Sequence, residues 1–326
     1  MKKKRINKKF VALALASLML VGTVAACGGQ PAAEQDTFVV GEKMDLAMEM
    51  VPLSEGPPAM FTVLMPSAPG TAVSKNAKAE IDYSNAKDGY VMIKFLQVTS
   101  VRLAVRITGP DSVSYTYNLR GDGQYEVFPL ANGNGRYTVG VFEHVQGTTF
   151  ATANSASFDV ALTDEFAPFL RPNQIVNFSS SSKVVAKAAE LVKDIDDLTE
   201  KIAVVYNFVV KNISYDRELA QSVQTGYIPD IDAVLEKGKG ICFDYSAVMA
   251  AMLRSQMVPT RLVMGYAGTT YHAWIDVYSE ETGWINSVIF FDGDNWVLMD
   301  PTFASGSQNA GSFIGDGKNY SVKHLF

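Results

Sequence analysis

Cysteine and histidine are scarce in this chain, which has two of the first, Cys27 and Cys242, and three of the second in 326 residues. Two cysteines cannot build a disulfide framework, so the folded body must rest on a hydrophobic core. Basic charge is also short once the first ten residues are set aside. The whole chain has 28 Lys and Arg against 34 Asp and Glu, and six of those bases (Lys2, Lys3, Lys4, Arg5, Lys8, Lys9) lie in the leader, leaving 22 against 34, a formal charge near −12. That balance argues against nucleic-acid binding through a basic face. Long apolar runs are missing too, because Phe10 to Val24 spans 15 residues where a membrane-crossing helix needs about 20.

What is present begins with that leader. A basic start, an apolar stretch of small residues and the ending Val24-Ala25-Ala26-Cys27-Gly28 predict a signal peptide over residues 1–26, cut at a site that looks like that of a bacterial lipoprotein. Cys27 would then carry the lipid, and the body would sit on the extracellular face of the cell membrane, lipid-anchored. The plainer alternative is an uncleaved membrane anchor. Residues 27–70, small and polar at first and then rich in proline, form a tether and an irregular segment. With Cys27 acylated, Cys242 has no partner in the chain and cannot be a staple.

Short runs of alternating polarity follow, at 79–83, 90–96, 101–107, 114–119, 125–128, 136–142 and 156–162, separated by turns rich in Gly, Asn and Asp. They predict an all-β sandwich over residues 71–165. No chemistry stands out in this half, whose one histidine, His144, lies at a strand end. Pro168 and Pro172 mark the junction, and from residue 175 the pattern changes. Helices are expected from the serines at 179–182 through VVAKAAELVKD, then over 199–212, then in a pattern opened by Cys242 and clearest from Tyr245 to Ser255, with Val248, Met252 and Leu253 on one face and small Ala247, Ala250 and Ala251 letting a sheet come close. Strands are expected at 261–266, 272–278, 283–291 and 296–299. Helices first and strands after predict an α+β domain over 175–326, with its sheet packed on the cysteine helix.

Three residues of that domain carry chemistry by their setting. Cys242 follows Gly240 and opens a helix, where free N–H groups and the macrodipole favour a thiolate and the Cys242 N–H can receive an oxyanion. His272, at the start of a strand, is the better of two candidate bases, the other being His324. Asp300, held by Pro301 at a strand end, can orient the imidazole. Taken singly, each has a structural explanation: a buried thiol, a bonded histidine, a turn. Together they supply nucleophile, base and orienter.

The segments EKIAVVYNFVVKNISYD, KGKGICFDYSAVMAAMLRSQMVPTRLVMGY, YHAWIDVY and WVLMDPT resemble the transglutaminase-like superfamily, a papain-type cysteine fold. The resemblance covers about residues 196–302, and the β-sandwich resembles the immunoglobulin-like extracellular modules that precede such cores in Gram-positive lipoproteins. It implies Cys242 as nucleophile, His272 as general base and acid, and Asp300 as orienting carboxylate. Tyr266 and Trp274 match aromatic positions near the site, and Tyr227 is the candidate second oxyanion donor. No metal and no cofactor is expected, since Asp292-Gly293-Asp294-Asn295 lacks the remaining ligands of a calcium loop. The implied partner is a protein or peptide substrate whose amide bond passes through a thioester, with hydrolysis by a peptidase or deamidase favoured over crosslinking. The alternative is a cell-surface binding or scaffold module whose core is occluded.

Overall fold

Two compact units divide the chain, Met1–Lys43 and Met44–Phe326. The computed structural model describes residues 63–267, 269–281, 283–291, 296–297 and 320–326, all within the second unit. The leader, Cys27, most of the tether and Asp300 lie outside the described residues. None of the described helices is long and apolar enough to cross a membrane.

The first half folds into eight strands, β1 (Val73–Lys75), β2 (Ala79–Asp82), β3 (Tyr90–Phe95), β4 (Leu103–Thr108), β5 (Ser114–Leu119), β6 (Glu126–Pro129), β7 (Gly135–Gln146) and β8 (Thr149–Val160). They form two four-stranded sheets, ordered β1-β2-β3-β6 and β5-β4-β7-β8, with every neighbouring pair antiparallel. Alternation explains the inner faces: Tyr115, Tyr117 and Leu119 of β5 are buried while Ser114, Thr116 and Asn118 are exposed. Leu103, Val105 and Ile107 of β4 join Ile81, Ile93 and Phe128 of the other sheet in one buried cluster. At the start of β7 the fully buried Tyr137 sends its hydroxyl back to Gly133 O (2.9 Å) and accepts from Asn132 N–H (3.0 Å), which pins the turn that feeds the strand.

The predicted strands are all present, but β7 and β8 are longer than the alternation suggests, twelve residues each. They form one long hairpin with two register shifts, and those shifts break the period-two signal that sequence reading depends on.

The second half supplies α1 (Lys183–Val192), α2 (Leu198–Asn212), β9 (Ser214–Tyr215), α3 (Arg217–Ser222), α4 (Ile231–Lys237), β10 (Lys239–Gly240) and α5 (Cys242–Ser255). Then come β11 (Thr260–Ala267), β12 (Thr270–Ser279), β13 (Gly283–Phe291), β14 (Trp296–Val297) and β15 (Tyr320–Leu325). The last five make one sheet, ordered β14-β13-β12-β11-β15. Helix α5 lies between this sheet and the other helices, in contact with β11 and β12 on one side and α1, α2 and α4 on the other. Every residue from Phe243 to Ser255 is buried, because the helix is covered on both sides and is hydrophobic or small almost all round.

The halves are joined by a bonded segment. Gln174 N–H donates to Val127 O (2.9 Å), and its side-chain amide to Asn118 O (2.7 Å) and Glu126 Oε2 (2.8 Å). Arg254, buried at the end of α5, donates to Thr260 O (2.9 Å), Arg171 O (2.9 Å) and Phe326 O (2.5 Å), so one guanidinium fastens helix, sheet and junction. Phe166 and Tyr278 meet as tilted rings at 4.1 Å, and the Arg261 guanidinium lies 3.5 Å over the Trp284 ring.

Candidate active site

The start of α5 is built by a ladder, a buried carboxylate and a glycine. Strands β9 and β10 pair in parallel, and the ladder continues with Ser214 N–H to Gly238 O and Asp216 N–H to Gly240 O, both 2.8 Å. This fixes the backbone just before Cys242 against the end of α2, an anchorage reinforced by the Tyr245 hydroxyl, which donates to Ile213 O. The residue at the N-cap is Ile241, whose side chain cannot accept a bond. Asp244, at the third helical position, takes over: Oδ2 accepts from Ile241 N–H (2.7 Å) and Oδ1 from the Tyr227 hydroxyl (2.6 Å). Glycine is required at 240 because a Cβ there would stand 2.7 Å from Asp244 Cβ and 2.9 Å from Oδ2.

Asp244 has no exposed surface, and burial raises its carboxyl above the usual range, against the opposing pull of the Tyr227 and Ile241 bonds. Burial also raises the Tyr227 phenol, with its bond to that carboxylate as the next cause. Tyr227 was expected to donate to an oxyanion, and its hydrogen instead goes to Asp244. Asp244 is the main residue that sequence reading passed over. An acid at the third position of a helix whose N-cap residue cannot cap was the available signal.

Cys242 is the first residue of α5, half-buried, and makes no disulfide. Helix start and macrodipole favour its thiolate. His272 is the third residue of β12, not the first as expected, since the strand begins at Thr270. It pairs with Gly265 of β11 and is 8% exposed, and burial lowers its imidazole to about 4. Tyr271, directly before it, is raised first by burial, then by Tyr266 and then by the charge of Cys242. Helix α5 packs on β12. Among the described residues, the other base candidate, His324, sits at the junction between the halves, its ring 5.0 Å from Tyr115 of β5.

Trp274, two residues along from His272 and so on the same face of β12, is 1% exposed and meets Tyr320 edge-on at 5.4 Å. A Cβ on Gly265 would lie 2.8 Å from the Trp274 ring and 2.1 Å from Ser321 O. Glycine there lets Trp274 and β15 close over the strand. Tyr266 is 38% exposed. The described cleft of about 350 Å³ lies elsewhere, between residues 177–182 and 228–232, and does not include Cys242 or His272. Among the described residues no cluster of three or more His, Cys, Asp or Glu could hold a metal ion.

The second half thus sets the helix that opens at Cys242 on the sheet whose strand β12 carries the buried His272. Residues 185–301 match the family model of the transglutaminase-like superfamily, a span that contains Cys242, His272 and Asp300. Among curated proteins the chain is similar to the uncharacterized protein YebA of Bacillus subtilis (strain 168), 25% identical over 126 residues. That match takes in 33% of the chain and 17% of YebA. Similar solved structures include a candidate cysteine protease of Cytophaga hutchinsonii, 17% identical over 73% of this chain and 76% of that one, with a TM-score of 0.36. Red sea bream transglutaminase is 13% identical over 65% of this chain and 48% of its own, with a TM-score of 0.27. At such scores neither structure bears on the chemistry.

Proposed function

We propose that the protein is a surface-anchored cysteine enzyme acting on amide bonds of proteins or peptides, with Cys242 as nucleophile, His272 as general base and acid, and Asp300 as the carboxylate that orients the imidazole. The observation that carries this reading is the position of Cys242 at the first residue of a buried helix packed on the strand of His272. Burial keeps His272 neutral, the form that accepts a proton. In the proposed cycle the Cys242 sulfur attacks the amide carbonyl as its proton passes to His272, and the Cys242 N–H holds the oxyanion. The C–N bond then breaks, the leaving nitrogen takes the proton from His272, and a thioester remains. Water attacks the thioester with His272 again as base, releasing the acid and restoring the thiol.

Hydrolysis is favoured over crosslinking because Cys242 is partly exposed to solvent, and a thioester there meets water before a lysine. The same exposure speaks against an occluded scaffold. The anchor of this reading is lipid on Cys27, which puts the enzyme on the extracellular face of the membrane, with a β-sandwich over 71–165 and the catalytic domain over 175–326. The strand order β2-β3-β6 against β5-β4-β7-β8 and the hydroxyl of Tyr137 bonded back to Gly133 support an immunoglobulin-like sandwich.

The test is to incubate the protein with a glutamine-containing peptide, with and without an amine donor, and weigh the products. Deamidation, an amine adduct and a cut backbone differ in mass. Turnover is expected to vanish in Cys242→Ala with the fold retained; equal turnover in that variant would remove the proposal.

A further inference from the structure

The peptide unit in front of Cys242 is held at both ends. Its carbonyl, Gly240 O, accepts from Asp216 N–H (2.8 Å), and the Ile241 N–H donates to Asp244 Oδ2 (2.7 Å). Behind the thiol, the Ser246 hydroxyl donates to Cys242 O (2.9 Å). The thiol therefore hangs from a backbone bonded on either side. Asp244 is held in turn by Tyr227, whose hydroxyl donates to Oδ1 (2.6 Å) and whose ring meets Phe243, the residue between Cys242 and Asp244, edge-on at 6.2 Å. Both carboxylate oxygens accept, which is the bonding of an ionised group. Such a charge, with no exposed surface and two residues from Cys242, opposes the macrodipole that favours a thiolate. The charged groups facing it are Asp216, bonded to Lys239 (Oδ1 to Nζ, 3.3 Å), and Lys237 at the end of α4. Strand β12, packed on α5, carries Tyr271 and His272. Near neutral pH both are uncharged, because burial raises the phenol and lowers the imidazole to about 4. Of all these groups, Asp244 is the one whose charge bonds the backbone that carries the thiol.

We propose that Asp244 and Tyr227 are positioning residues for the Cys242 nucleophile: the carboxylate, steadied by the phenol, fixes the backbone before the thiol and holds back its ionisation. This rests on the proposed thiol chemistry and adds two residues that act through Cys242 without touching substrate. The resting site then keeps a thiol ready to pass its proton to a neutral imidazole, rather than a preformed ion pair. Tyr227 acts one step removed, through Asp244.

The test is the rate at which iodoacetamide alkylates Cys242 in the full chain, followed from about pH 5 to about pH 10. It is read by mass on the peptide that contains Cys242, so that Cys27 does not contribute. Each profile gives the midpoint at which the thiol ionises and the limiting rate above it. Asp244→Asn removes the charge and puts a donor where an acceptor stood. Its midpoint is expected to fall by about one pH unit, the scale of one nearby charge, and its limiting rate to fall about tenfold as the backbone before the thiol loosens. Tyr227→Phe keeps the charge and removes one bond, and its limiting rate is expected to fall about fivefold, the equivalent of one hydrogen bond. A purely structural role would lower the melting temperature of both variants and leave the midpoint in place. A midpoint that stays or rises in folded Asp244→Asn would therefore overturn the proposal. Should that variant not fold, Tyr227→Phe decides, and a limiting rate equal to the wild type would overturn it. Failure of iodoacetamide to alkylate Cys242 in the folded wild type would overturn the thiol chemistry itself, and the positioning role with it.

Discussion

His272 is where burial and chemistry meet most directly. Its imidazole is lowered to about 4 by burial, whereas an unfolded chain would hold it at about 6.5. Between those values the unfolded state binds the extra proton. The stability tied to a neutral His272 is therefore complete above pH ~6.5 and is lost as pH falls toward ~4, by about 3 kcal/mol in all. Urea unfolding followed from pH 7.5 to 4.5 is expected to show this decline in the wild type and a shallower one in His272→Gln. Equal slopes would mean that another group titrates. The histidine itself was legible in the sequence, as the residue that opens an apolar run after a Gly-Thr-Thr-Tyr loop. Its burial was not, because the covering groups come from parts of the chain far away.

Among the elements, α5 shows how a local pattern is read correctly and still misjudged. Its start at Cys242 and its end before Val258-Pro259 were legible, since glycine precedes it and proline follows. Its complete burial was not, because a run of alanine, methionine and valine looks the same whether one neighbour covers it or several do. The short elements α3, β9 and β10 were also missed; two-residue strands have no period, and only their pairing defines them. The elements at the site meet at Gly240. Alanine there would press a Cβ to 2.7 Å from Asp244, pushing the carboxylate off the Ile241 N–H and the Tyr227 hydroxyl. Gly240→Ala is expected to cost about 1–3 kcal/mol and to slow alkylation of Cys242, read by thermal melting and by iodoacetamide kinetics on the same sample. A variant as stable and as reactive as the wild type would show that the helix start tolerates the shift.

Across the whole molecule, the two halves act as one unit through buried polar bonds as well as rings. Arg254 donates to three backbone carbonyls, from the junction, the first residue of β11 and Phe326, and burial lowers its guanidinium to about 9. Those bonds are what an arginine fork supplies and a lysine point charge does not. Removal in Arg254→Ala would leave buried acceptors unpaired and is expected to lower stability by about 3–5 kcal/mol. Arg254→Lys is expected to recover only part of that, as measured by urea midpoints. A loss below about 0.5 kcal/mol, the size of an ordinary surface change, would mean that the junction is held elsewhere.

The sequence alone determined most of the strands and helices, because alternation, helical spacing and glycine or proline breaks are local signals. Tertiary structure decided that Asp244 caps the cysteine helix, that Tyr227 serves that carboxylate, and that Arg254 ties the halves. Each of these depends on groups distant in the chain, and a buried polar atom must find its partner in space rather than in sequence.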